Sequence, residues 1–463
     1  MNGKVPARQF WSSRTAFLLA TIGSAVGLGS IWKFPYMVGD NGGGAFVLVY
    51  LGAILIIILP LLIAEFAVGR RGGGSAVGSF ANVAEESGAS RSWGLAGVLG
   101  AVASFLILSF YSVVGGWTLA FIPLTASGSF TGAGVPEIAG HLTALLADPM
   151  TLTLYHGLFM GVTAVIVMLG VISGLERAVT ILMPLMFAIM AVLVVYALVT
   201  ADGFAAARFL FTPDFSKITA NVVIDAIGLA FFSISVGLGA MITYAAYAGR
   251  DIDLSETALI TIAADTFISF MAGFAIFPLV FSYGLDVAQG PALMFQVLPV
   301  AFSKMPLGAF VGTAFFVLLF VSALASAISL LEIFVSWLVE SGIPRLIAAP
   351  SAALLCWFAG LGTVYSFNLW SGVHPLDGVR GFENQTIYDL LDFLTSNIML
   401  PLGGILVAVF AGYVMRRSAV LEELGWKEGV IAWAWFLAIR FITPLAIILV
   451  LVWKFTPSGN AGG

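Results

Sequence analysis

Eleven stretches of this 463-residue chain are each long and apolar enough to cross a bilayer, and this limits the fold more than any other feature of the sequence. They run over about 13–38, 44–69, 95–125, 151–172, 178–200, 223–248, 257–284, 307–339, 346–364, 388–415 and 429–454. A spanning segment needs roughly 20 mostly apolar residues, and it must pair its own backbone N–H and C=O groups because no water reaches them. The pattern predicts an all-α membrane protein with one membrane domain and no soluble one. The composition fits: 60% of residues are hydrophobic and 9% charged, against about 25% charged in soluble domains. Lipid must therefore cover surface that a water-soluble fold would have to bury. The net charge of −5 and the lack of a basic tract exclude a nucleic-acid partner. The single cysteine, Cys356, excludes an intrachain disulfide and a thiolate cluster. His141, His156 and His374 are scattered, so no metal cluster is expected from them. The opening MNGKVPARQFWSSR lacks the marks of a cleavable signal.

Basic residues set the orientation. With the N-terminus in the cytoplasm, the inner segments hold Lys4, Arg8, Arg14, Arg70, Arg71, Arg91, Arg177, Arg250, Arg345, Arg416, Arg417 and Lys427. The outer segments hold only Arg208, Lys217, Lys304 and Arg380. An odd number of spans then puts the C-terminus outside. The outer segments 126–150, 201–222, 285–306 and 365–387 are long enough for short helices over an outer vestibule.

Two spans are interrupted alike. The first reads Gly23-Ser24-Ala25-Val26-Gly27-Leu28-Gly29-Ser30 and the sixth Ser233-Ile234-Ser235-Val236-Gly237-Leu238-Gly239. Each glycine weakens a helix by roughly 1 kcal/mol relative to alanine. Close helix packing is one use of glycine and serine in a membrane helix. Unwound backbone is the other, tolerated only where it lines a polar cavity or is buried in protein. These two spans open successive blocks of five, so they run in opposite directions. Matching interruptions in two inverted halves point to a transporter site between them. The halves are about 13–200 and 223–415, with an extra span at 429–454, all within one transmembrane domain over 1–463.

The run Gly23 to Phe46 resembles the first-span signature of the neurotransmitter:sodium symporter family. The same resemblance is carried by Glu65-Phe66-Ala67-Val68-Gly69-Arg70, Trp117-Thr118-Leu119, Phe231-Phe232-Ser233-Ile234-Ser235 with Thr243-Tyr244, and Arg440-Phe441-Ile442-Thr443-Pro444. It covers nearly the whole chain. It implies a LeuT-type fold, an eleven-span bacterial member, and sodium-coupled symport of amino acids by alternating access across the bacterial inner membrane. The implied partners are an amino-acid substrate, sodium ions and membrane lipid. A monomer or weak dimer is the expected assembly.

The resemblance also assigns residues. Exposed N–H groups around Gly27, Leu28 and Gly29 would receive the substrate carboxylate, with the Tyr111 hydroxyl beside them. Carbonyls near Ala25 and Phe232, with Ser233, Ser235 and Ser326 close by, would meet the ammonium. Ile107, Tyr111, Val114, Phe232, Ser235, Leu238 and Leu330 would line an apolar side-chain pocket, which implies a neutral hydrophobic, aliphatic or aromatic L-amino acid. Leu238 stands where the leucine-transporting relative has phenylalanine, which leaves room for aromatic side chains.

Sodium 1 would take Ala25, Ser30, Ser233 and Asp265; the family usually has asparagine at the positions of Ser30 and Asp265. Sodium 2 would take Gly23, Val26, Ser322 and Ser326, with Ala325 in place of an oxygen ligand. Lys33 and Asp392 match an outer gate pair. Arg8 and Glu340 match an inner one, with Tyr247 nearby and Trp11 as a plug. Glu65 would brace the unwound backbone of span 6. Gly174 and Pro184 match a spacing that lets span 5 unwind.

Animal relatives place a chloride among positions matching Tyr50, Leu229, Ser233 and Ser269. Leu229 cannot donate the hydrogen bonds of the usual glutamine, and Asp265 brings its own negative charge, so transport is expected to be chloride-independent. The chain has neither HExxH nor GxSxG, and its Gly-Leu-Gly runs lack the third glycine of a dinucleotide loop, so no enzyme is expected. Gate pairs on both sides of one site argue against a channel lining. A proton-coupled transporter of the same fold is the alternative reading.

Overall fold

The computed structural model describes residues 10–287 and 293–454, and over these every regular element is helical. Nine unbroken helices are long and apolar enough to cross a membrane. They are span 2 (Gly44–Gly72), span 3 (Arg91–Ala126), span 4 (Pro149–Met168), span 5 (Val171–Thr200), span 7 (Leu254–Ser282), span 8 (Gly308–Glu340), span 9 (Arg345–Ser366), span 10 (Ile387–Val414) and span 11 (Val430–Lys454). Span 1 is a bent pair, Arg14–Ala25 and Gly29–Asp40, with 50° between its halves. Span 6 is two shorter helices, Ala220–Ile234 and Ala240–Ala245, neither long enough to cross a bilayer alone. The eleven expected segments thus appear as nine continuous spans and two broken ones.

Each break has a local cause. Span 1 stops when Val26 turns extended (φ −73, ψ 103) while its N–H still donates to the Ile22 carbonyl. Gly27 follows, and a Cβ there would lie 2.3 Å from the Ser326 hydroxyl oxygen. In span 6 the chain turns left-handed at Ser235 (φ 58), Gly237 (φ 89) and Gly239 (φ 86). Two of these three positions are glycine, which carries no Cβ penalty there.

Span 8 is 83% buried over its most apolar stretch and span 3 is 72% buried, whereas spans 4, 5 and 11 are only 33%, 28% and 33% buried. Spans 3 and 8 are therefore the most interior of the continuous spans, and they pack along each other. Spans 4, 5 and 11 turn leucine and valine side chains outward, for example Leu154, Val195 and Leu449. Outward apolar surface of this kind is what lipid covers.

The connections agree in part with expectation. Short helices occupy Val135–Ala147, Gly203–Phe211 and Leu298–Lys304. Residues 367–386 hold only turns, so no helix forms in the expected 365–387 segment. Two helices escaped the sequence reading, Ala76–Glu86 and Arg417–Leu424, both at the end of the molecule where span 1 begins. Arginines concentrate at this end. Glu423, fully buried, accepts from Arg70 at 2.9 Å and Arg250 at 2.5 Å, tying the ends of spans 2 and 6 to the Arg417–Leu424 helix.

Candidate functional site

The two breaks face each other around a small cavity. Ala25, Gly27, Leu28 and Gly29 border it from span 1, and Phe232, Ser233, Ser235 and Leu238 from span 6. Span 3 adds Ile107 and Tyr111, and span 8 adds Ser326 and Leu330. Val114 is the exception: it is buried one helical turn beyond Tyr111 and does not border the space. Leu400 of span 10 does border it, a residue no sequence motif marked.

The cavity is polar at one end and apolar at the other. At the polar end the Leu28 N–H donates to the Tyr111 hydroxyl at 3.3 Å, and the Ser326 hydroxyl donates to the Val26 carbonyl at 3.5 Å. Gly29 lies so close to span 6 that a Cβ would come within 3.0 Å of the Ser233 Cα. The positive end of the second half of span 1 opens here, a ready place for an anion. Ile107, Leu238, Leu330 and Leu400 close the apolar end.

Beside the polar end lies a fully buried carboxylate. Asp265 of span 7 accepts from the hydroxyls of Ser30 and Ser233, the latter at 2.8 Å, and the Tyr50 hydroxyl approaches at 3.5 Å. Ser30 and Ser233 are themselves 3.1 Å apart. Three of the four residues expected at sodium 1 thus form one oxygen cluster, and Ala25 borders the adjoining cavity. A hydroxyl that donates to a carboxylate still offers lone pairs to a hard cation.

The residues expected at sodium 2 are less closely joined. Val26 and Ser326 meet as described. The Ser322 hydroxyl is turned back to the Leu319 carbonyl of its own helix. Gly23 packs against Met183 and Val179 of span 5.

The two mouths of the cavity differ. At the mouth away from the arginine-rich end, Lys33 and Asp392 do not form the expected pair. The Lys33 ammonium sits over the Phe232 ring, 4.2 Å from its centroid, and Asp392 accepts from the Ser396 hydroxyl at 2.9 Å. Both acid and ammonium border a vestibule of about 540 Å³. Lysine is a flexible point charge that can settle on an aromatic face, whereas arginine would present a planar fork to the carboxylate.

At the other mouth Trp11 is buried against the second half of span 6. Its indole N–H donates to the Tyr244 carbonyl at 2.9 Å and its backbone N–H to the Tyr247 carbonyl at 3.0 Å. Arg8 lies outside the described residues. Glu340 accepts from the Ser75 N–H at 3.1 Å and from the Ser75 hydroxyl. The acid that meets Tyr247 is instead Glu332, about two helical turns earlier: the Tyr247 hydroxyl donates to it at 3.2 Å and Arg345 pairs with it. Glu332 is fully buried in a membrane span, which is itself a signal of function that the sequence reading passed over. Glu65 stands where expected, accepting from the Gly237 N–H at 2.7 Å inside the span 6 break. Span 5 starts with a turn wound wider than an α-helix at Val171–Glu176, which holds Gly174, and it stays helical through Pro184 to Thr200.

Comparison with known proteins bears on this arrangement. Residues 8–132 and 141–459 match the model of the sodium:neurotransmitter symporter family. An uncharacterized sodium-dependent transporter of Bacillus subtilis, YhdH, is 35% identical over 446 residues, covering 96% of each chain. One from Haemophilus influenzae is 32% identical, covering 96% of this chain and 98% of its own. The crystal structure of MhsT in complex with L-phenylalanine superposes with a TM-score of 0.88 at 40% identity, covering 96% of this chain and 99% of that one. The all-helical architecture is thus the LeuT-type fold, and sodium is the coupling ion of the family. A multi-pass membrane protein built around two facing helix breaks, this chain belongs to the sodium:neurotransmitter symporter family.

Proposed function

We propose that the protein carries neutral hydrophobic L-amino acids together with sodium into the bacterial cell, independently of chloride. The observation that supports this most is the division of the central cavity: unwound backbone and Tyr111 at one end, four aliphatic side chains at the other, with the Asp265 cluster alongside. The chemistry of an amino acid matches that division in one orientation only. Its carboxylate meets the N–H groups of span 1 and its side chain points to Leu238 and Leu330. L-Phenylalanine, bound by MhsT, has this chemistry.

The free space is about 30 Å³, which holds water and not an amino acid. Substrate entry therefore requires the lining to part, and half-buried Phe232 under Lys33 is the side chain best placed to swing. The inverted halves, 13–200 and 223–415, would rock about this centre. The arginine-rich end with Trp11 would face the cytoplasm and the vestibule of Lys33 and Asp392 the outside, by the positive-inside rule. Sodium would bind at Ala25, Ser30, Ser233 and Asp265, and a second ion at Gly23, Val26, Ser322 and Ser326. In the second set the Val26 carbonyl and the Ser326 hydroxyl are the donors already in place.

Uptake of leucine, phenylalanine or tryptophan into proteoliposomes is expected to require an inward sodium gradient, with lithium and potassium substituting poorly. Equal uptake in choline buffer would refute the coupling. Tyr111→Phe is expected to weaken substrate binding without loss of expression, since a hydrogen bond to a charged acceptor contributes about 1.5–3 kcal/mol, roughly tenfold or more in affinity. Equilibrium binding on the purified variant checks this, and unchanged affinity removes Tyr111 from the site.

A further inference from the structure

The break in span 6 is held by glycines on neighbouring spans, and one of those neighbours contributes an unassigned side chain to the cavity. A Cβ at Gly403 of span 10 would lie 2.2 Å from the Gly237 carbonyl oxygen, and a Cβ at Gly237 would lie 2.6 Å from the Leu400 carbonyl oxygen. The backbones of spans 6 and 10 therefore touch. On the other side, a Cβ at Gly100 of span 3 would lie 2.4 Å from the Leu238 carbonyl oxygen. The Gly237–Leu238 backbone is thus wedged between spans 10 and 3, with Gly237 against the first and Leu238 against the second. Side chains, not backbone, must then set the depth of the apolar end. Leu238 and Leu400 are both buried there and both border the cavity.

Span 10 delivers Leu400 by a specific device. Its turn Leu394–Met399 is wound wider than an α-helix, and the α-helix resumes at Leu400 with Pro401 next. The wide turn inserts an extra residue. It places Leu400 toward the cavity while Gly403 and Gly404 meet span 6, a Cβ at Gly404 coming within 2.8 Å of the Phe231 ring.

We propose that Leu400 is a specificity-determining residue: it closes the far end of the side-chain pocket and limits the length of side chain that fits. This rests on the reading of the cavity as the amino-acid site. Shortening Leu400 deepens the pocket, so a large aromatic side chain gains contacts while a smaller aliphatic one leaves space unfilled. Enlarging it does the reverse.

The test is sodium-dependent binding of radiolabelled tryptophan to the purified full-length protein, displaced by unlabelled tryptophan or leucine. For Leu400→Ala the ratio of leucine to tryptophan dissociation constants is expected to rise roughly tenfold, the scale set by filling or emptying a hydrophobic pocket. Leu400→Phe is expected to lower it. Leu400→Val gives the sign of the alanine variant at smaller size should that variant not fold. A ratio within about twofold of the parent in the folded variants overturns the proposal, because a pocket wall cannot be moved without changing such a ratio. Tyr111→Phe, measured alongside, separates the two levels: if it weakens both ligands while the Leu400 variants leave the ratio unmoved, only the role of Leu400 falls. If Tyr111→Phe also changes nothing, the cavity is not the amino-acid site and both readings fall together.

Discussion

Asp265→Asn is expected to abolish sodium-driven uptake, and added chloride is not expected to restore it. The carboxylate is fully buried among Ser30, Ser233 and Tyr50 hydroxyls. A charge held there is costly in a membrane protein unless something neutralises it, and a sodium ion beside it would do so. Two unit charges about 4 Å apart attract by roughly 4 kcal/mol at an effective dielectric of 20, which is up to about a thousandfold in ion affinity. Asparagine keeps an oxygen in place but removes that attraction. Chloride could supply the missing charge only if groups existed to hold it. Leu229, at one of the four matching positions, is a fully buried aliphatic side chain that donates nothing. For the same reason, replacing chloride by gluconate is expected to leave uptake by the parent protein unchanged. A steep chloride dependence in the parent, or full activity in Asp265→Asn, would overturn the role given to this carboxylate.

Much of this site was legible because its chemistry is local. Glycine pairs with small polar neighbours mark where a helix cannot hold in lipid, so Gly27, Gly237 and Gly239 gave the break positions directly. The acid Glu65 stood out because charge in an apolar span needs a reason, whereas Asp265 was marked by the family resemblance, as a departure from the usual asparagine. What stayed hidden depends on which faces meet across the bundle. Nothing around Leu400 distinguishes it from any lipid-facing leucine; only the wide turn before it and the glycines after it turn it inward. Val114 lies one turn from Tyr111 and shares its helix face in outline, yet the cavity does not reach it. Glu332 and Glu340 lie on the same helix, and only packing shows that Tyr247 and Arg345 meet the first while Ser75 meets the second. The Lys33–Asp392 pair shows a further limit. Sequence can name opposite charges at two mouths of a site, but not whether a flexible lysine will choose a carboxylate or an aromatic ring.

Gly237→Ala is expected to destroy the transporter, while Gly228→Ala in the same span is expected to be tolerated. The two substitutions add the same methyl group, so the difference isolates what the break requires. Gly237 sits at φ 89, where a residue with a Cβ costs about 1–2 kcal/mol. Its new methyl would also lie 2.6 Å from the Leu400 carbonyl oxygen and 2.9 Å from the Gly404 nitrogen. Both obstacles are backbone atoms, so no change of rotamer relieves them, and overpacking adds on the order of 1–3 kcal/mol. Any shift that makes room pulls the Gly237 N–H away from Glu65, which accepts it at 2.7 Å. That leaves a buried donor and a buried carboxylate both unpaired, each costing further. At Gly228 nothing lies within 4 Å of the added Cβ, and alanine favours the helix by roughly 1 kcal/mol. Glu65 supplies the complementary probe. Glu65→Gln keeps a carbonyl oxygen that can accept from Gly237 and is expected to retain part of the activity, whereas Glu65→Ala removes the acceptor and is expected to behave like Gly237→Ala. Thermal unfolding in detergent and sodium-driven uptake, measured on all four variants, check the pattern. If Gly237→Ala folds with the parent melting temperature and transports normally, the break does not depend on the clamp between Glu65 and span 10.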